Sequence, residues 1–220
     1  MYKRQELQQI GYAALHEIVY ERIRGALHGG TFKPGESLPT RTLAKALGIS
    51  TTPVREALTR LVAQNVLAVD SVNGTAYVPV ITRELLAEIY ELRAMLEGLA
   101  TEHAAENITK EELQQLDKMW TKLTAKGLDR EEQHRMAQEF QFAVYQAARR
   151  PVLLDLIQSV WLRSGLVLAM LSKSRPKGFS VEAQREKMFA ALKKGDAKRA
   201  GNATRAAIEA TREMLLNLMD

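Results

Sequence analysis

A chain of 220 residues with 46% hydrophobic and 26% charged residues has the make-up of a folded protein, with room for one large domain or two small ones. The absence of cysteine excludes disulfides, thiolate zinc sites and a cysteine nucleophile. The formal charge of +5 is relatively denser in residues 1–80 (9 Lys+Arg against 6 Asp+Glu, +3) than in residues 81–220 (22 against 20, +2) and permits a polyanionic partner without demanding one.

Met1 to Gln9 is polar and mixed in charge, with no apolar signal-peptide core behind it, so a cytoplasmic protein is expected. Leu15, Ile18, Val19, Ile23 and Leu27 recur at helical spacing and predict a first helix, stopped by Gly29 and Gly30. Phe32, Pro34 and Gly35 mark a turn leading into Leu38-Pro39. From Thr40 to Leu61 the sequence predicts two short helices around a tight turn. Leu43, Ala44 and Leu47 give the first helix an apolar stripe, and Gly48 ends it in a left-handed cap. Thr52 is the expected N-cap of the second helix, with Pro53 in its first turn and Val54, Ala57, Leu58 and Leu61 on its buried face. Small Ala44, Gly48 four residues on and Val54 six later have helix-turn-helix spacing. Thr51, Thr52, Arg55, Thr59 and Arg60 are left on the open face, suited to phosphate oxygens and base edges. An ordinary helical hairpin with a solvated polar face shares this spacing, so the segment that follows decides. Val66–Val69 and Thr75–Val80 are β-type runs around Asn73-Gly74, a strong hairpin signal. Three helices and a wing over residues 8–80 predict a winged helix-turn-helix domain within 1–80.

The run PGESLPTRTLAKALGISTTPVREALTRLVAQNVL, Pro34 to Leu67, resembles the N-terminal domain of the GntR family of bacterial transcription regulators. The resemblance implies double-stranded DNA as partner, with contacts from Arg41, Thr51, Thr52, Arg55 and the wing-tip residues Asn73 and Gly74. Many members carry Arg where this chain has Thr51, so the family's operator sequence is not carried over.

From Thr82, an expected N-cap, the chain reads as helix throughout. Leu85, Ile89, Leu92, Leu96 and Leu99 repeat at spacings of 4, 3, 4 and 3 and predict the buried stripe of the first helix. Further helices are expected near 110–125, 130–148, 152–172, 181–194 and 197–218, with breaks at Gly127, Arg150-Pro151, Pro176 to Gly178 and Gly195-Asp196. The most apolar window, Val152 to Leu171, is interrupted by Asp155, Gln158 and Arg163 and reads as a buried helix, not a membrane span. Residues 81–220 thus predict an antiparallel all-α bundle, and the fold class is mostly α.

This half resembles the FCD ligand-sensing domain of the FadR branch, through LRAMLEGLATEHAA (Leu92–Ala105), FQFAVYQAARRPVLLDLI (Phe140–Ile157) and ALKKGDAKRA (Ala191–Ala200). The resemblance implies a sensing role and a metal site made by one Asp and three His; a homodimer is expected because one recognition helix reads only a few base pairs and a second copy supplies the missing specificity. At the matching positions stand Ala137, Gln141, Arg185 and Ala207, so no metal and no other cofactor is expected. His134, with Gln138 and Gln141 on one helical face, is a possible substitute ligand but is more simply a surface residue; His103 likewise reads as a bundle-face residue. Arg185 places a permanent positive charge where the metal charge would be. With Arg93 on the same cavity, and Gln141 and Tyr145 as hydrogen-bonding walls, the bundle is expected to bind a small anionic metabolite. The competing expectation is that both arginines pair with bundle carboxylates such as Glu97 or Glu186. An enzyme would need an activated nucleophile, a metal or a paired acid and base, which these residues do not supply. Two functions remain: a DNA-binding regulator, expected to be a repressor modulated by an organic acid or acyl ligand, and a dimeric DNA-binding protein whose bundle senses nothing.

Overall fold

The computed structural model describes residues 12–28, 31–125, 127–171 and 180–219. The glycines expected to stop the first helix, and the break at Pro176 to Gly178, lie outside the described residues. Among those described, the elements are α1 (Tyr12–His28), α2 (Thr40–Leu47), α3 (Thr51–Ala63), β1 (Ala68–Val69), β2 (Ala76–Tyr77), α4 (Arg83–Asn107), α5 (Lys110–Leu123), α6 (Arg130–Ala147), α7 (Pro151–Leu171), α8 (Glu182–Lys193) and α9 (Ala197–Asn217). The architecture is mostly α: a winged helix-turn-helix followed by a helical bundle.

The chain divides into two compact units, Met1–Thr82 with Leu162–Lys173, and Arg83–Trp161 with Ser174–Asp220. A division at residue 80 would assign all of α7 to the second unit, whereas Leu162 joins the apolar core of the first. Val19, Tyr20, Ile23 and Leu27 of α1 pack there with Ala44, Val54, Ala57, Leu58 and Leu61. The α1 stripe is therefore rotated from the expected one. Leu15 and Ile18 are 41% and 52% exposed, and Tyr20 takes the inner place because its ring packs while its hydroxyl donates to Gln64 Oε1 at 2.7 Å. Gly48 has φ 68° and its amide caps α2. Ser50, not Thr52, is the N-cap of α3, so the helix starts earlier and Thr51 and Thr52 already lie in its first turn.

β1 and β2 pair antiparallel in the register Ala68↔Tyr77 and Val69↔Ala76. The segment before α2 adds a third edge, with Gly35 N donating to Val78 O, Val78 N to Glu36 O and Leu38 N to Ala76 O. The expected hairpin around Asn73-Gly74 is present: the strands stop at Val69 and Ala76, and residues 70–75 form a loop organised by Asp70.

In the second unit α4 packs most extensively on α9, and the core is filled by Phe140, Val144, Ile157, Phe189 and Leu192 with neighbouring alanines. Side-chain caps start the helices: Thr109 and Glu112 form a reciprocal capping box on α5, and Asp129 and Asp196 accept from Glu132 N and Arg199 N on α6 and α9. The expected α4 stripe is corrected here. Leu92 and Leu99 are 40% and 41% exposed, and Met95 between them is 61% exposed. The buried face is instead Leu86, Ile89, Tyr90, Arg93, Ala94, Glu97, Gly98, Thr101, Ala104 and Ala105. Close approach to α9 explains the choice. A Cβ on Gly98 would lie 2.6 Å from Arg205 Nε, and one on Gly201 would lie 2.5 Å from Glu102 Cγ. Arg205 and Glu102 pair at 2.7 Å, and Thr204 Oγ1 donates to Thr101 Oγ1 at 3.1 Å within the contact. Leucine in place of Gly98 or Thr101 would not fit this contact.

Candidate functional site

In the first unit, α3 is anchored by Pro53, Val54, Ala57, Leu58 and Leu61 and presents its opposite face outward. Thr51, Thr52 and Arg55 are exposed in its first turns, and Arg41 is exposed at the start of α2. Among the described residues no carboxylate pairs with the guanidinium of Arg41 or Arg55. Two other residues expected on that open face are committed elsewhere. Arg60 Nη1 donates to Glu17 Oε2 at 2.7 Å and its guanidinium lies 3.8 Å above the Tyr20 ring, so it fastens α3 to α1. Thr59 Oγ1 donates back to Arg55 O at 2.9 Å. His16 pairs with Glu56 and adds a second tie between α1 and α3. Asn73 and Gly74 are exposed at the wing tip, where Gly74 has φ 70°. The wing residue missed from the sequence is Asp70. Its carboxylate accepts two loop amides, the side-chain-to-backbone bonding that favours Asp at turns.

The second unit holds a pocket of about 280 Å³, lined by Gln141, Val144, Tyr145, Gln184, Arg185, Met188, Ala203, Thr204 and Ala207. That volume includes solvent at its mouth, and the enclosed part has room for about one water molecule. Gln141, Tyr145 and Arg185 thus come together as expected of one cavity. Arg93 does not line it. Its Nε donates to Glu97 Oε1 at 2.7 Å, and its guanidinium lies 4.5 Å over the Trp161 ring and 4.9 Å over the Tyr90 ring. The Arg93–Glu97 pair is the carboxylate pairing that competed with a pocket role, and its i,i+4 spacing was the signal in the sequence.

Glu97 is fully buried and joins the two parts, because Tyr145 Oη donates to its Oε2 at 2.5 Å. Burial pushes the Tyr145 phenol well above its ordinary value of 10.0; the Glu97 charge and this hydrogen bond add to the shift, and Arg93 and Arg185 oppose it. Burial alone would lower the pKa of Arg93, but the adjacent Glu97 carboxylate outweighs it and the guanidinium is held cationic. Tyr145 is therefore a neutral donor at the pocket wall, locked to a buried ion pair.

The positions at which the family resemblance implies metal ligands do not fit a divalent ion. Ala137 is buried in the core, Ala207 and Gln141 line the pocket, and Arg185 brings a cation. Among the described residues, no group of three or more His, Cys, Asp and Glu stands close enough to hold a metal. His134 is exposed on α6. Nor is any described helix long and apolar enough to cross a membrane.

Known proteins share this arrangement. The FCD domain profile matches residues 88–210, and the profile described as bacterial regulatory proteins, gntR family, matches residues 15–76. The HTH-type transcriptional regulator McbR of Escherichia coli (strain K12) is 39% identical over 139 residues, 62% of this chain and 62% of McbR. The Nta operon transcriptional regulator of Aminobacter aminovorans is 31% identical over 130 residues, 59% of this chain and 61% of that protein. Each of these sequence matches spans less than two thirds of the relative's length. Among solved structures, E. coli McbR/YncC superposes with a TM-score of 0.83 at 30% identity, covering 94% of this chain and 99% of that one. A putative GntR transcriptional regulator from Rhodococcus sp. RHA1 superposes with a TM-score of 0.68 at 22% identity, covering 93% and 98%, a likeness of fold.

Proposed function

Because the chain belongs to the GntR family of bacterial regulatory proteins and carries their FCD domain, it is a transcription regulator and not an enzyme, and we propose that it is a cytoplasmic repressor that binds a two-fold symmetric DNA operator as a homodimer and is released by a small organic acid or acyl compound. The observation that carries the DNA part is the asymmetry of α3. Its inner face is locked into the core, while Thr51, Thr52 and Arg55 stand outward with no carboxylate partner for Arg55 among the described residues. Arg55 in the first turns of a recognition helix would grip guanine or two phosphates, with Arg41, Asn73 and Gly74 adding contacts from α2 and the wing. Dimerisation is supported by the outward row Leu92, Met95 and Leu99 on α4, apolar side chains left uncovered in a single copy.

The effector part rests on the pocket wall made by Gln141, Tyr145 and Arg185. A carboxylate there would meet the Arg185 guanidinium and the Gln141 carboxamide in a partly desolvated site, beside a Tyr145 hydroxyl whose proton is held by Glu97. The small enclosed volume favours a second reading, in which the helical domain only dimerises and no effector exists. Operator titrations with a panel of organic acids separate the two readings. An acid that weakens operator binding by wild type, but not by Arg185→Ala with normal affinity in its absence, supports sensing. Loss of thermal stability in that variant, with no acid acting on wild type, supports the second reading.

A further inference from the structure

The wing tip carries a hydrogen-bond pattern that limits which bases it reads. Asp70 Oδ1 accepts from Val72 N at 2.8 Å and from Asn73 N at 3.1 Å. Asp70 O accepts from Gly74 N at 2.9 Å, and Asp70 N donates to Thr75 O at 2.9 Å. The remaining tip amide, Thr75 N, donates to Asn73 Oδ1 at 2.8 Å. Every backbone N–H from Val72 to Thr75 is therefore used inside the loop, and Asp70 holds three of the four.

The consequence falls on Asn73. A carboxamide has one acceptor oxygen and an NH2 with two donors. Here the oxygen is turned to the loop by Thr75, while the residue itself is exposed, so the group left to face a partner is the NH2. In the minor groove A·T and T·A pairs show only acceptors, adenine N3 and thymine O2, whereas G·C adds the guanine amino donor. A donor at the tip meets an acceptor in the first case and another donor in the second. The minor groove, about 6 Å wide, admits a narrow loop but not a helix, which leaves the major groove to α3. Resting on the DNA-binding reading above, we infer that Asn73 selects A·T over G·C in the minor groove flanking the bases read by α3, and that Asp70 is the positioning residue that fixes its donating orientation. Val72 beside it, 92% exposed, brings an apolar side chain to the same tip. The charge of Asp70 opposes this arrangement, since a carboxylate near phosphates repels them. Its value lies in the loop it builds.

The test begins with duplexes selected by the full-length protein from a randomised library at fixed salt. Wild type is expected to fix an A·T pair at a flanking position, whereas Asn73→Ala and Asp70→Ala select the same central bases and accept G·C there. Asn73→Asp retains an oxygen for Thr75 N but has no donor, and is expected to lose the preference without unfolding the tip. On one selected duplex, exchange of the flanking A·T for G·C should weaken wild type about five- to tenfold, and for inosine·C, which lacks the guanine amino group, less than about twofold. A 2,6-diaminopurine·T pair, which adds that group to A·T, should reproduce the loss. For Asp70→Ala the A·T to G·C ratio should approach one although a negative charge has been removed. Inosine·C binding as weakly as G·C, or a preference unchanged in the variants, would overturn the inference. So would an equal loss by Asn73→Ala on all duplexes, whatever the flanking pair, which assigns Asn73 to the sugar-phosphate backbone. If wild type selects no sequence at all, the DNA-binding reading falls first and this inference with it.

Discussion

Arg93, Glu97 and Tyr145 place a cation, an anion and a phenol out of contact with water, and their energetics are set by what each loses without the others. Glu97→Ala leaves the Arg93 guanidinium buried beside Tyr90 and Trp161 without its carboxylate, and is expected to cost about 3–5 kcal/mol in chemical denaturation. The pair also makes stability depend on pH at the alkaline end. The folded-state pKa of Tyr145 is raised, so its stabilising contribution is complete below the unfolded value of 10.0 and is lost as pH rises through the folded value. The melting temperature should fall above about pH 10, and less steeply in Tyr145→Phe. Tyr90, also raised by burial, contributes in the same direction and leaves a residual slope in that variant. At the other surface, Arg55→Ala should weaken operator binding by about 1–3 kcal/mol in a binding titration while the melting temperature stays unchanged, because the side chain is exposed.

The α4–α9 contact shows how an element can contradict its own periodicity. Helix propensity favours Ala over Gly by about 1 kcal/mol, yet Gly201→Ala is expected to lower the melting temperature, since its methyl would displace Glu102 from Arg205. Gly98→Ala should act alike by pushing on Arg205 from the opposite helix. A stabilised variant at either position would mean that the helices separate at little cost. The same contact explains which parts of the fold were legible in the sequence. The bounds of helices near 110, 130 and 197 could be read because helix signals are local: Gly48 and Gly195 follow helix ends in left-handed conformation, and Thr109, Asp129 and Asp196 stand at N-termini, although the cap of α3, expected at Thr52, lies at Ser50. The facing of α4 could not, because its leucine spacing describes an apolar stripe without saying what covers it. The small residues Gly98, Thr101 and Ala105 mark the true inner face only once Gly201 and Thr204 are known to lie opposite. The wing was legible in its β-type runs on either side of Asn73-Gly74; the conformation of the loop between them was not, because Asp70 sets it by accepting two loop amides.

At the scale of the whole molecule, one recognition helix reads only a few base pairs, and a second copy doubles the contact. The outward row of Leu92, Met95 and Leu99 gives this expectation a physical address. Met95→Lys combined with Leu99→Glu should yield a monomer by light scattering, with the melting temperature nearly unchanged and operator binding much weakened. A dimer that persists in this variant would move the interface elsewhere. Of the pocket, Gln141 and Arg185 could be read from the sequence because they stand at positions matched to a family pattern, and Tyr145 lies one helical turn after Gln141; of the two expectations for Arg93 the carboxylate pairing holds, because Glu97 stands four residues on.

The wing loop also bears on how the protein ages. Asparagine followed by glycine is chemically fragile, since the glycine nitrogen can attack the side-chain carbonyl, close a succinimide and expel ammonia, and hydrolysis then leaves an aspartate or its isomer. In this loop the Gly74 amide donates to the Asp70 carbonyl and the Thr75 amide to the Asn73 oxygen, so both partners of that reaction are held by hydrogen bonds of the tip. The loop that orients the side chain therefore also governs how readily the Gly74 nitrogen meets its carbonyl carbon. Deamidation would replace the outward NH2 with an oxygen, so an aged tip would lose its donor at the position where the loop presents one.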